Sequence, residues 1–243
     1  MITRHIINDK IRFFQDSNVF TFSDLSHKID RFKNGILKID STLNFSAVMG
    51  MNSIDFDTIA FLFALFELKI PITNARSQEA IFTDKSFHKC KIFKRADDSS
   101  LFEKLSAHSL DIHQIEDLLS SAHVKVPNNS FNDQELILTY FSSGTTGAPK
   151  KFFHSHLSVL ESAKNSKRFY NIGDTMLWRQ DLSMNHFGIL TTSILPAMMF
   201  CDNIVIYDKL ADNTRFFKSL SNHSIRIDTA LILAHSRESL QPF

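Results

Sequence analysis

Apolar side chains at Leu25, Ile29, Phe32 and Ile36 fall on one face of a helix, which predicts an amphipathic helix over Ser23–Leu37 capped by Ser23 or Asp24. Phe45–Met51 is a short, largely apolar run of the kind a buried strand makes. Asp55–Leu68 is longer and apolar around most of its circumference, which predicts a helix inside the protein, and Ile70–Thr73 reads as the next strand. Further along, Lys89–Lys94, Leu136–Phe141, Lys151–His154, Thr175–Arg179, Ile204–Tyr207 and Ile227–Leu233 have strand character. Ser99–Ala107, Ile112–Ala122, His156–Phe169, Gly188–Phe200 and Ala211–Asn222 have helical character. Strands and helices alternating at these lengths predict an α/β fold of mostly parallel sheets flanked by helices, with right-handed crossovers.

Val126–Ser130 is a turn or linker, so a lobe boundary is expected near 126–132 within one domain over 1–243. With 243 residues, 43% of them apolar, the chain can bury a substantial core. A net charge of +1 with no run of five or six basic residues speaks against nucleic acid or an anionic membrane as partner. Lys164, Lys167 and Arg168 read as a solvated helix face. The most apolar run, Ile59–Phe66, is too short to span a bilayer, and Met1–Lys10 carries charges where a secretory leader needs an apolar stretch. Cys90 and Cys201 lack metal-ligand spacing and read as reduced, buried thiols. The expected location is the cytoplasm.

Chemistry concentrates in Phe141-Ser-Ser-Gly-Thr-Thr-Gly-Ala-Pro-Lys150, which directly follows the apolar strand Leu136–Phe141. Gly144 and Gly147 can adopt backbone angles closed to other residues, so that successive N–H groups converge on an anion. Ser142, Ser143, Thr145 and Thr146 add hydroxyl donors, and Lys150 adds a charge-assisted contact. A Walker loop is excluded, because two residues rather than four separate the glycines and Lys150 follows Ala148-Pro149. No paired acidic metal site accompanies the loop, which argues against a phosphotransferase.

These ordered residues resemble the phosphate-binding motif of the adenylate-forming (AMP-binding) enzymes: the acyl- and aryl-CoA synthetases, peptide-synthetase adenylation domains and luciferases. The one departure is Lys151, where that family usually has glycine. Phe20-Thr-Phe-Ser-Asp-Leu25 is similar to the family's lead into its first helix, and Ser46–Asn74 is similar to its strand-helix-strand crossover. The resemblance covers the family's N-terminal large domain and implies its fold. It also implies attack of a carboxylate on the α-phosphorus of ATP, giving an acyl-adenylate and pyrophosphate, with transfer to the thiol of coenzyme A or a carrier protein. Ser142, Ser143, Gly144, Thr145, Thr146, Gly147 and Lys150 would then hold the ATP phosphates, with Mg accompanying them.

By the same resemblance, Asn185, His186, Phe187 and Gly188 stand where the family has a substrate-pocket motif for the carboxylic acid, with histidine displaced by one position. The family's adenine- and ribose-binding segments, hinge and small C-terminal domain with its catalytic lysine have no counterpart before Phe243. No catalytic residue and no metal ligand is therefore assigned. The expectation is a truncated large domain that needs a complementing C-terminal chain, or that self-associates through apolar surface near Ile225–Leu233, Leu240 and Phe243. The alternative is a non-catalytic nucleotide- or acyl-binding relative.

Overall fold

The computed structural model describes residues 2–15, 18–49, 54–74, 90–94, 109–117, 134–141, 150–179, 187–207 and 229–230. Its strands form two mostly parallel sheets, each ending in one antiparallel edge strand. The first has five strands in the order β11-β9-β10-β1-β2: Thr229–Ala230, Thr175–Arg179, Asn203–Tyr207, Arg12–Gln15 and Asn18–Thr21. The second has six in the order β6-β5-β3-β4-β7-β8: Ser109–Asp111, Cys90–Lys94, Ser46–Met49, Ile72–Asn74, Leu136–Phe141 and Lys151–Ser155.

Helix α1 (Phe22–Ile39) is the amphipathic helix of the sequence, and it buries Leu25, Ile29, Phe32 and Ile36. Its cap is Thr21, rather than Ser23 or Asp24. The Thr21 side chain accepts from the Asp24 N–H while the Asp24 carboxylate accepts from Thr21, which satisfies two backbone donors reciprocally. Helix α2 (Phe56–Glu67) is buried from Phe56 to Phe66 except at Asp57. It lies between the sheets: Phe56 stacks on Phe20 of β2 at 4.2 Å and meets Phe13 of β1 edge-on at 5.3 Å, while Phe61 reaches Phe93 of β5 at 5.0 Å. Phe13, Phe32, Phe56, Phe61, Phe63, Phe66 and Phe93 thus belong to one core that joins both sheets, while Phe152, Phe153 and Phe169 are exposed.

Helix α3 (Ile112–Asp117) presses on α1 so closely that a Cβ at Gly35 would collide with the Ile115 carbonyl oxygen. Helix α4 (His156–Phe169) follows β8 directly, capped by Ser155. Residues 187–200 form a helix, α5, whose middle, Leu190–Ile194, is wound wider than its ends. Cys201 is buried, with its thiol donating to the Gly173 carbonyl at 3.2 Å, but Cys90 is only half-buried, contrary to expectation. Cys90 is the first residue of β5 and pairs with Ser46, the first residue of β3, so it stands at the end of the ladder rather than inside it. The expected helices 99–107 and 211–222, the 126–132 boundary and the apolar surface expected at 225–243, apart from Thr229–Ala230, lie outside the described residues.

Candidate nucleotide-phosphate site

Strands β7 and β8 pair antiparallel, and the last pair before the tip is Phe141↔Lys151. The motif therefore spans the tip of a hairpin. Strand β4 ends beside β7, with Asn74 paired to Tyr140, and the chain leaves β4 leftward in the sheet toward β5 but leaves β7 rightward into β8. In open α/β sheets ligands bind outside the carboxyl ends of the strands, the edge at which β4 and β7 end. Helix α2 also starts at this edge, after β3. Its N-terminus is capped by Asp55, which accepts the Thr58 N–H at 2.7 Å, and by Gln15, which accepts the Phe56 N–H at 3.0 Å.

Lys150 is exposed and stands directly before β8. Ser142, Ser143, Gly144, Thr145, Thr146 and Gly147 lie outside the described residues. Lys151, the departure from the family pattern, is the first residue of β8, and its backbone is not among the positive-φ positions of the described residues, which are Leu43, Lys69 and Asn171. A position inside a strand makes no demand for glycine, so the substitution leaves the hairpin intact.

On the hairpin, His154 lies across from Leu138, with its ring 6.1 Å from that of Tyr140 and edge-on to it. Burial holds the His154 imidazole below its ordinary pKa. His156 is fully buried at the first position of α4. Of the expected acid-pocket residues, Asn185 and His186 lie outside the described residues, while Phe187 and Gly188 open α5. Gly188 is exposed, and a side chain there would meet open space. Among the described residues no group of three or more His, Cys, Asp or Glu could hold a metal ion, and no helix is long and apolar enough to cross a membrane.

A family model described as AMP-binding enzyme matches residues 54–231, which include the hairpin, its loop and the expected pocket. The chain belongs to the AMP-binding enzyme family. No curated protein matches it by sequence. Among solved structures, it is similar to McyG A-PCP complexed with phenylalanyl-adenylate, with a TM-score of 0.67 and 16% identity over 90% of this chain and 37% of that one. It is also similar to o-succinylbenzoate coenzyme A synthetase (MenE) from Bacillus subtilis in complex with AMP, with a TM-score of 0.67 and 14% identity over 91% of this chain and 58% of that one. The luciferase-like enzyme from the mealworm Zophobas morio gives 0.66 and 17% over 91% and 56%. This AMP-binding family chain thus shares their α/β fold and spans between 37% and 58% of their length.

Proposed function

We propose that the chain holds the phosphates of ATP on the loop from Ser142 to Lys150 and serves the activation of a carboxylic acid as its acyl-adenylate. A carboxylate oxygen would form the new bond to the α-phosphorus as the bond to the β-phosphate bridge breaks, and pyrophosphate would leave with the charge. A thiol would later displace AMP. The observation that supports this reading is that the strands flanking the intact motif, β7 and β8, pair antiparallel up to Phe141↔Lys151, with β7 beside β4 in the parallel part of the sheet. Backbone N–H groups and Lys150 at that tip would neutralise and align the departing pyrophosphate, which is catalysis by positioning and charge stabilisation.

Mg would travel with the ATP phosphates. The acid would lie toward Asn185, His186, Phe187 and Gly188, and coenzyme A or a carrier-protein arm would supply the thiol. Acyl transfer by this chain would use a complementing chain for the adenine, ribose and catalytic-lysine contacts of the family, in the cytoplasm.

Calorimetric titration with ATP and with pyrophosphate tests the phosphate site. Lys150→Ala should weaken both by about tenfold or more, the worth of a charge-assisted hydrogen bond. Gly147→Val should weaken both through the backbone. Unchanged binding in both variants would remove the reading. Binding that is intact in the presence of a complementing chain, but never leads to adenylate, would establish the non-catalytic relative instead.

A further inference from the structure

The end of the hairpin remote from its tip is tied down by a closed ring of contacts. Among the described residues, strand β8 is at the edge of its sheet and pairs with β7. Its exit is fixed at His156, whose backbone N–H donates to the Glu135 carbonyl across the hairpin base at 3.3 Å. The buried His156 imidazole accepts the backbone N–H of Ile2 on Nδ1 at 3.2 Å, so that nitrogen carries no proton. Ile2 is itself fully buried. Two residues on, Arg4 donates its backbone N–H and its guanidinium to Glu67 at the end of α2. Lys69, just past that end, reaches Glu135 at 3.8 Å and closes the ring.

We propose that His156 is a positioning residue for phosphate binding: by accepting the Ile2 N–H it fixes the base of the β7–β8 hairpin, and with it the placement of Phe141 and Lys150 on either side of the loop. The proposal rests on the reading of that loop as the phosphate site. Beyond a register shift between Leu136 and Leu138 the hairpin is paired without interruption from Leu138↔His154 to Phe141↔Lys151, so a displacement of its base is carried along both strands to Phe141 and Lys151. Water cannot replace the histidine as acceptor at a fully buried N–H without opening the core around Ile2. A buried donor left without a partner costs far more than the net worth of the bond it made.

Asparagine and leucine at position 156 separate this role from ring packing. Asn places Oδ1 where the histidine has Nδ1, while Leu has the shape of Asn without an acceptor, so both lose the ring and differ in the bond. The full chain carrying His156→Asn should keep the amide-exchange protection of β7 and β8 and the pyrophosphate affinity of the parent. His156→Leu should show faster exchange confined to β7, β8 and the first turn of α4, and a pyrophosphate affinity weaker than that of the Asn variant by about fivefold or more. Equal affinity and equal hairpin exchange in the two variants would overturn the proposal, as would a loss in the Leu variant spread evenly over the molecule.

If the parent chain binds no pyrophosphate, the phosphate-site reading fails, and the exchange pattern alone then decides whether His156 holds the hairpin. Should His156→Leu not fold, Arg4→Met releases the same segment from Glu67. Its exchange must then quicken in the hairpin, and protection unchanged there overturns the proposal.

Discussion

Arg4 and Glu67 meet as a two-pronged pair, Nε to Oε1 and a terminal guanidinium nitrogen to Oε2, each at 2.8 Å. Lys33 adds its ammonium to Oε2 at 2.8 Å, and Asp30 binds the outer side of the guanidinium. Burial pushes the Glu67 carboxyl up, but the hydrogen bonds from Arg4 and Lys33 outweigh it and hold the group down at about 2, against an ordinary 4.5. The unfolded chain therefore takes up this proton first as pH falls. The stabilisation is fully present above about 4.5 and is lost as pH drops toward 2; the shift corresponds to about 3 kcal/mol. Glu67→Gln should cost about 3 kcal/mol at pH 7, because Arg4 and Lys33 lose the more buried of their two counter-charges and keep only the exposed Asp30, and should flatten the dependence of stability on pH across that acid range. Urea titrations from pH 7 to pH 2 measure both. A variant that keeps the parent's acid slope would show that Glu67 does not carry it.

Gly35→Ala should destabilise the protein by about 2 kcal/mol or more. Alanine favours helix over glycine by about 1 kcal/mol, but its methyl would strike the Ile115 carbonyl, and backbone cannot step aside as a side-chain tip can. Thermal melting of the variant decides the sign, and a raised midpoint would mean that α3 shifts away from α1 at little cost.

Restoring the family glycine with Lys151→Gly should not improve phosphate binding. Position 151 is a strand residue paired with Phe141, so glycine there adds backbone freedom without relieving strain, at a cost of about 0.5–1 kcal/mol. Stronger pyrophosphate binding in the variant would mean that the lysine side chain obstructs the loop.

In the presence of ATP and a carboxylic acid, Lys150→Ala should slow any exchange of labelled pyrophosphate into ATP by about tenfold or more, because the departing pyrophosphate loses its charge-assisted contact. Exchange at the parent's rate in the variant would refute this.

What the sequence showed best was local in the chain. The helical spacing of Leu25, Ile29, Phe32 and Ile36 and the order of residues from Phe141 to Lys150 need no distant partner to be recognised. Strands β1 and β2 escaped notice because Arg12–Gln15 has only two buried positions and its partner is β10, with Arg12 beside Asn203. Such a strand is defined by pairing, not by pattern. The same holds for the candidate site: the loop was legible, whereas the neighbourhood of β4 and β7 depends on Ile72 pairing with Leu138, and the contact of His156 depends on Ile2 far away in the sequence.

The wide turn Leu190–Ile194 gives α5 a counting property. The hydroxyls of Thr191 and Thr192 both turn back to the Gly188 carbonyl, occupying an acceptor that a regular helix reserves for its own main chain. Each residue advances an ordinary helix by about 100°, and the wide turn absorbs about one residue without that advance, so Phe187–Ile189 face as they would in a regular helix one residue shorter. The length of α5 and the direction its first turn faces are thereby uncoupled. Loss of one residue from Leu190–Ile194 would be met by rewinding to a regular helix, with Phe187–Ile189 and Leu195–Phe200 keeping their relative orientation. The wide turn is a reserve in which α5 can gain or lose a residue without changing what either end presents.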